Sequence, residues 1–242
     1  MRKAREESGQ FLAEGLKIVT EAVELGHAPK ILMFGQDAAD HPLLTRAIAA
    51  TGMAGGEVIE VTRDILEKVS RRDNPQAVVA VFDQAFTPLQ TLEPKAAGVW
   101  VALHRVRDPG NLGTIIRTAD AAGCGGVILV GECCDPWSVE AVRATMGSIF
   151  AVPVAKASEV EFIAWRSDWP GSVVGTLLTA DTDHRAADYA RPTLILMGNE
   201  QAGLTPELAA LCDVNVKIPM RGRADSLNLS VATGIMIYAA GD

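Results

Sequence analysis

The chain has 242 residues, 48% of them hydrophobic and 21% charged, with a formal net charge of -8. That length can bury one large core or two modest ones, and no apolar run approaches the roughly 20 residues that span a bilayer. The opening Met-Arg-Lys-Ala-Arg-Glu-Glu holds no apolar stretch resembling a signal peptide, so a cytoplasmic protein is expected.

Residues 11–25 carry Leu12, Leu16, Val19 and Val23 at helical spacing and end in Gly26, which predicts one amphipathic helix with a glycine stop. A strand at 30–34, a helix at 41–51, a strand at 57–61, a helix at 62–71 and a strand at 77–82 continue the alternation, implying a small α/β layer. Thr87-Pro88 and the run Glu93 to Gly98 then break the pattern and suggest a linker, since proline disfavours helix before it and interrupts strand ladders. A second segment opens with strand-like Gly98 to Leu103, followed by a helix that places Ile115, Ile116 and Ala119 on one side and stops at Gly123. Strand 126–130, helices 136–145 and 158–167, strands 172–178 and 193–197, helix 205–211, strand 214–218 and a last helix from about 228 complete an α/β sheet. The final helix is apolar nearly all round and requires cover.

Lysines and arginines number 11 against 14 acids in residues 1–96, and 11 against 16 in residues 97–242, so neither half has the basic footprint of a nucleic-acid binder. Such binding would fall to local clusters: Arg2, Lys3 and Arg5; Arg71 and Arg72; Arg105 and Arg107; Arg221 and Arg223. Cys124, Cys133, Cys134 and Cys212 lack Cys-x-x-Cys spacing, and the vicinal pair cannot easily close an unstrained bridge, so free thiols and no structural zinc are expected. His27, His41, His104 and His184 are scattered and suggest no metal cluster.

Three short segments concentrate the chemistry. In the first, Asp108-Pro109-Gly110 supplies a turn ahead of Asn111, and Arg117 follows six residues later; its planar, permanently charged guanidinium suits phosphate or ribose. The second leaves a strand through Gly198-Asn199-Glu200, continues to Gly203-Leu204, and starts a helix with Thr205 as cap and Pro206 after it. Its glycines let backbone approach a ligand, and Glu200 could orient Arg117 or accept from Asn111. The third runs from strand Val214 to Ile218, through Pro219-Met220, to Asp225-Ser226-Leu227-Asn228-Leu229-Ser230, placing polar caps at a helix N-terminus. The glycines of the first segment lack the Gly-x-Gly-x-x-Gly spacing of a dinucleotide fingerprint, which disfavours an oxidoreductase.

In order and spacing these segments resemble motifs 1, 2 and 3 of the SpoU (TrmH-like) branch of RNA methyltransferases, over residues 97–242. Gly9 to Gly15 and Asn74-Pro75-Gln76 likewise resemble the ribosomal-protein-like substrate-binding domain that precedes many such catalytic domains, here residues 1–94. The resemblance implies a Rossmann-like parallel sheet with a deep trefoil knot behind a small α/β RNA-binding domain. It also implies S-adenosylmethionine as cofactor, a ribose 2′-hydroxyl of ribosomal or transfer RNA as acceptor, and a homodimer through the catalytic domain, with no membrane or metal. A non-catalytic RNA-binding protein keeping the fold is the alternative. Carried over by position, Arg117, Asn111, Glu200, Ser226 and Asn228 form the catalytic group. Thr176, Gly198, Asn199, Gly203, Ile218, Met220 and Leu227 hold the cofactor, within a wrapping made of the stretch from Thr176 to Asp181, the second-motif loop and residues 218–229. The resemblance assigns Arg117 to the 2′-hydroxyl, often as its general base; because a guanidinium is a poor proton acceptor at neutral pH, orienting the hydroxyl and stabilising developing negative charge is the more conservative role.

Overall fold

A computed structural model describes residues 2–70 and 72–241, which form two compact units, one of them discontinuous in sequence. The first unit comprises the chain up to Ala85 together with Asp135–Ala151; the second comprises Phe86–Cys134 and the chain from Val152 onward.

The first unit contains α1 (Arg2–Ser8), β1 (Gln10–Glu14), α2 (Leu16–Glu24), β2 (Ile31–Gly35), α3 (Pro42–Met53), β3 (Glu57–Val61), α4 (Arg63–Ser70) and β4 (Val78–Asp83). Its sheet has the order β1-β4-β2-β3, with β4 antiparallel to both neighbours and β2 parallel to β3. The helix expected over 11–25 is therefore two elements. Phe11 and Ala13 are buried in alternation along β1, which pairs with β4 from Gln10 opposite Asp83 to Glu14 opposite Val79. Gly15, at φ 103, turns the chain into α2, whose buried residues are Ile18, Val19, Thr20 and Ala22. Pairing with β4 outweighs helical periodicity there, and the backbone conformation at Gly15 is one that glycine adopts without strain.

The second unit opens before its first strand. Thr87 donates its backbone N–H to Val154 O, and Leu89 and Leu92 lie in the core, so the stretch expected to be a linker is packed structure. Then come β5 (Val99–His104), α5 (Pro109–Ala121) and β6 (Val127–Val130). The chain next contributes α6 (Val139–Thr145) to the first unit, where Arg143 meets the buried Glu14 carboxylate at 2.6 Å and Trp137 lies 4.7 Å from Phe11 between ring centres. Phe150 lies 4.7 Å from Phe82 in the same cluster.

The chain resumes in the second unit with β7 (Val154–Ala157), α7 (Glu159–Arg166), β8 (Val173–Thr176), β9 (Thr182–Asp183), β10 (Thr193–Met197), α8 (Pro206–Ala209), β11 (Val214–Lys217) and α9 (Leu229–Gly241). Every pairing in the sheet β7-β6-β5-β10-β8-β11-β9 is parallel. Burial of every residue of β5, β6 and β10 explains their continuous apolar runs, since a parallel sheet is covered on both faces. Trp100, Ile128, Phe162, Leu194 and Leu196 belong to its core. β10 sits between β5 and β8, with β11 beyond β8, so the loops leaving their carboxyl ends emerge side by side. In open parallel sheets, ligands bind at that edge. α9 packs on α5 and β10, burying Leu229, Thr233, Met236, Ile237 and Ala240 and leaving Val231 51% and Tyr238 54% exposed.

Candidate active site

The groups of the site come from the loops after β5, β8, β10 and β11 and from the helices α5 and α9 that follow two of them. After β5, Arg105 takes a left-handed backbone at φ 52, and Asp108 caps α5 by accepting from the Asn111 N–H at 2.6 Å. Pro109 at the first helical position has no N–H to leave unpaired there. The loop after β10 closes on itself, with Asn199 and Gly203 exchanging backbone hydrogen bonds at 3.0 and 2.9 Å. Asn199 Oδ1 accepts from Gln201 N and Ala202 N, while its Nδ2 donates to Arg105 O at 2.7 Å. A β-carbon at Gly198 would fall 2.1 Å from the carbonyl carbon of Gly203, so only glycine fits. Gly203, at φ 68, makes the return.

Glu200 has a different partner from those anticipated. Its carboxylate accepts the backbone N–H groups of Arg107, at 3.1 Å to each oxygen, and of Asp108 at 3.0 Å. Neither Arg117 nor Asn111 reaches it in this chain. An ionised carboxylate is an acceptor only, and two adjacent amides at a turn are a natural partner for it. Glu200 thereby fastens the second motif to the start of the first.

The first and third motifs meet directly, Asn228 Nδ2 donating to Asn111 Oδ1 at 2.8 Å. Asn228 Oδ1 accepts from Ser230 N at 2.9 Å and from Ser230 Oγ at 2.7 Å, which satisfies the start of α9. Ser226 hydrogen-bonds its neighbour Asp225 at 3.3 Å. Arg117 stands apart, exposed on α5, with no side-chain partner among the described residues. Six residues advance a helix by about 9 Å and turn it by about 240°, so Asn111 and Arg117 leave α5 in different directions.

These loops enclose a cavity of about 310 Å³ lined by Thr176, Gly198, Asn199, Gly203, Ile218, Met220 and Leu227, together with Glu200 and Ser226. Asn111, Asn228 and Arg117 lie outside its lining. Ala202, Leu204 and Leu229 line it too, inside the second-motif loop and the 218–229 stretch expected to wrap the cofactor, whereas Met197 and Ala232 line it from outside those stretches. They are apolar residues within or next to the recognised motifs, and their proximity to the motifs was the available signal. The sequence reading missed Arg105 and Asp108 as structural partners; the Asp-Pro pair is a helix-start signature that could have found the second. The Thr176 hydroxyl is buried with no hydrogen-bond partner among the described residues.

A small, mostly apolar pocket of this size at the carboxyl edge of a parallel sheet, walled by glycine-bearing loops, defines an α/β protein built to hold a cofactor-sized ligand. Residues 98–238 match the family described as SpoU rRNA Methylase, and residues 1–80 match the MRM3-like substrate binding domain. The 23S rRNA (uridine(2479)-2′-O)-methyltransferase of Streptomyces viridochromogenes is 34% identical, over 99% of this chain and 85% of its own. The 23S rRNA (guanosine(2553)-2′-O)-methyltransferase of Bacillus subtilis is 30% identical, over 98% and 90%. A crystal structure of an AdoMet-bound rRNA methyltransferase from Sinorhizobium meliloti is 50% identical and superposes with a TM-score of 0.93, covering 99% of this chain and 90% of that one. The chain belongs to the SpoU rRNA methylase family.

Proposed function

We infer that this protein is an S-adenosylmethionine-dependent RNA methyltransferase that modifies a ribose 2′-hydroxyl. The observation that carries this reading is the pocket between the loops after β8, β10 and β11. Its lining combines apolar Met197, Ile218, Met220 and Leu227 with polar Thr176, Asn199, Glu200 and Ser226, so the residues present fit a ligand that carries both apolar and polar groups. The bound cofactor supplies a methyl group on a sulfonium centre, already activated toward an oxygen nucleophile.

The chain's contribution is alignment and electrostatics. Glu200 and Asn199 hold the pocket wall to the turn before α5, Asn111 and Asn228 lock the first and third motifs together, and Ser226 lines the mouth. Arg117 orients the ribose hydroxyl and stabilises the charge growing on its oxygen. Because Arg117 leaves α5 away from Asn111, we assign the complete site to two protomers, with α9 and its exposed Val231 and Tyr238 at the interface of a homodimer. The deep trefoil knot, in the C-terminal part of the chain, belongs to the same reading.

The acceptor we propose is ribosomal RNA, as in the relatives named above, and the cytoplasm is the compartment. No helix among the described residues is long and apolar enough to cross a membrane. Electrostatics identify which cations are available to RNA. Lys3 pairs with Glu7, Arg5 with Asp135, Arg72 with Glu14 and Arg105 with Glu159; Arg71 lies outside the described residues. Arg107, Arg117, Arg221 and Arg223 are exposed and have no side-chain partner among the described residues. In a chain of net charge -8 the arginines around the first and third motifs therefore remain free for phosphate. In the first unit, Asn74, Pro75 and Gln76 line a second cleft of about 750 Å³, which we assign to substrate docking.

The test is incubation of total RNA from a deletion strain with tritiated S-adenosylmethionine, followed by mapping of the labelled nucleotide. A single 2′-O-methyl site in ribosomal RNA is expected. Calorimetric binding of NAD in place of the methyl donor would overturn the reading.

A further inference from the structure

Outside the pocket, one carboxylate joins two consecutive residues at the end of β5. Glu159, the first residue of α7, places Oε1 2.9 Å from His104 Nε2 and 2.7 Å from Arg105 Nη2. His104 is buried in the sheet; Arg105 is half-exposed and has the left-handed backbone that non-glycine residues seldom adopt. Space for the pair is left by Gly131, where a β-carbon would meet Glu159 Oε1 at 3.2 Å and Arg105 Cγ at 3.4 Å. Hydrogen bonding from His104, and then the charge of Arg105, hold the Glu159 carboxyl below the usual carboxylate range, so it accepts from both at neutral pH. His104 then has a proton on Nε2, and its buried Nδ1 has no hydrogen-bond partner among the described residues.

The backbone turn made by Arg105 faces the second motif. Arg105 O accepts from Asn199 Nδ2, and the amides of Arg107 and Asp108 go to Glu200. We propose that Glu159 is a positioning residue for cofactor binding: through His104 and Arg105 it holds the turn against which Asn199 and Glu200 form the pocket wall. None of the three lines the pocket, so the effect passes through the turn. A carboxylate at a helix start is favourable for the helix alone, and that purely structural account predicts a loss of stability without a change in affinity.

This proposal rests on the pocket being the S-adenosylmethionine site, and calorimetry on the full chain separates the two. Wild-type protein that binds no S-adenosylmethionine removes the functional reading. Given wild-type binding, Glu159→Ala is expected to weaken it about tenfold, within the coupling usual for residues in one hydrogen-bond network. Adding Arg105→Gly should restore affinity to within about threefold of wild type, because glycine holds a positive φ without a side-chain anchor. Unchanged affinity in Glu159→Ala, with or without a lower melting temperature, overturns the proposal, as does a double variant that binds no better than the single one. If Glu159→Ala does not fold, Glu159→Gln takes its place and the same rescue decides.

Discussion

Asn228 donates its side-chain amide to the side-chain carbonyl of Asn111, a 2.8 Å contact between residues 117 positions apart in sequence. The same side chain caps α9 through its oxygen, so two roles reside on two atoms. Asn228→Asp retains the cap and loses the donor, whereas Asn228→Ala loses both. We expect Asn228→Ala to destabilise the fold by about 1 kcal/mol in denaturant titrations, the usual value of an N-cap, with Asn228→Asp near wild type. Asn228→Ala should methylate slowly, and an Asn228→Ala enzyme with full activity would refute a role for the pairing, whereas Asn228→Asp can still accept from a flipped Asn111 amide.

Arg117 is exposed and its side chain has no partner among the described residues, so its removal should leave the fold and the pocket untouched. Arg117→Ala is expected to lower the methylation rate by about a hundredfold or more, as when a donor to developing charge is deleted, with cofactor affinity within a few fold. Loss of cofactor binding by a folded variant would assign Arg117 elsewhere.

Thr176, in the pocket lining, carries a buried hydroxyl with no partner among the described residues. Thr176→Val keeps its shape and removes the orphan oxygen. The variant should melt no lower than wild type without ligand, since an unsatisfied polar group no longer has to be desolvated, yet bind S-adenosylmethionine more weakly. Paired thermal melts with and without cofactor measure both signs.

If Arg107, Arg221 and Arg223 contact phosphates, each alanine variant should weaken RNA binding and reduce the slope of log affinity against log salt by roughly one. Arg105→Gly and Arg46→Ala, whose wild-type arginines are occupied by Glu159 and Glu24, should leave the slope unchanged.

Glu159 has a carboxyl pKa held below its ordinary value in the folded chain. A depressed folded pKa contributes stability that is complete above the ordinary carboxylate range, and this is lost as pH falls through the folded value. Calorimetric melts between pH 7 and about pH 3 should therefore show a shallower acid decline in Glu159→Gln than in wild type.

Motifs at strand ends were legible because their chemistry is local: Gly198 and Gly203 are turn glycines, Thr205 and Pro206 start a helix, and each did so where expected. The buried runs of β5 and β10 were equally plain, since a covered parallel strand is apolar throughout. β1 was hidden because Leu12, Leu16, Val19 and Val23 imitate one helical face across a break at Gly15. β7 and the two-residue β9 are too short for periodicity to register. Glu200 was found as a site acid, but its partners are backbone amides, which have no signature in side-chain identity. The same holds for Arg105, whose importance lies in its carbonyl and its φ.

The discontinuity of the first unit limits how this enzyme can be dissected. A fragment starting near residue 97 would carry 135–151 without β1 and β4, leaving Trp137 and Phe150 with no rings to lie against and Arg143 with no buried carboxylate. A fragment ending near residue 85 would lose the same partners from the other side, baring Phe11 and Phe82. Conventional truncation at the apparent boundary should give two sticky halves, and a soluble catalytic core would need its inserted excursion replaced by a short bridge.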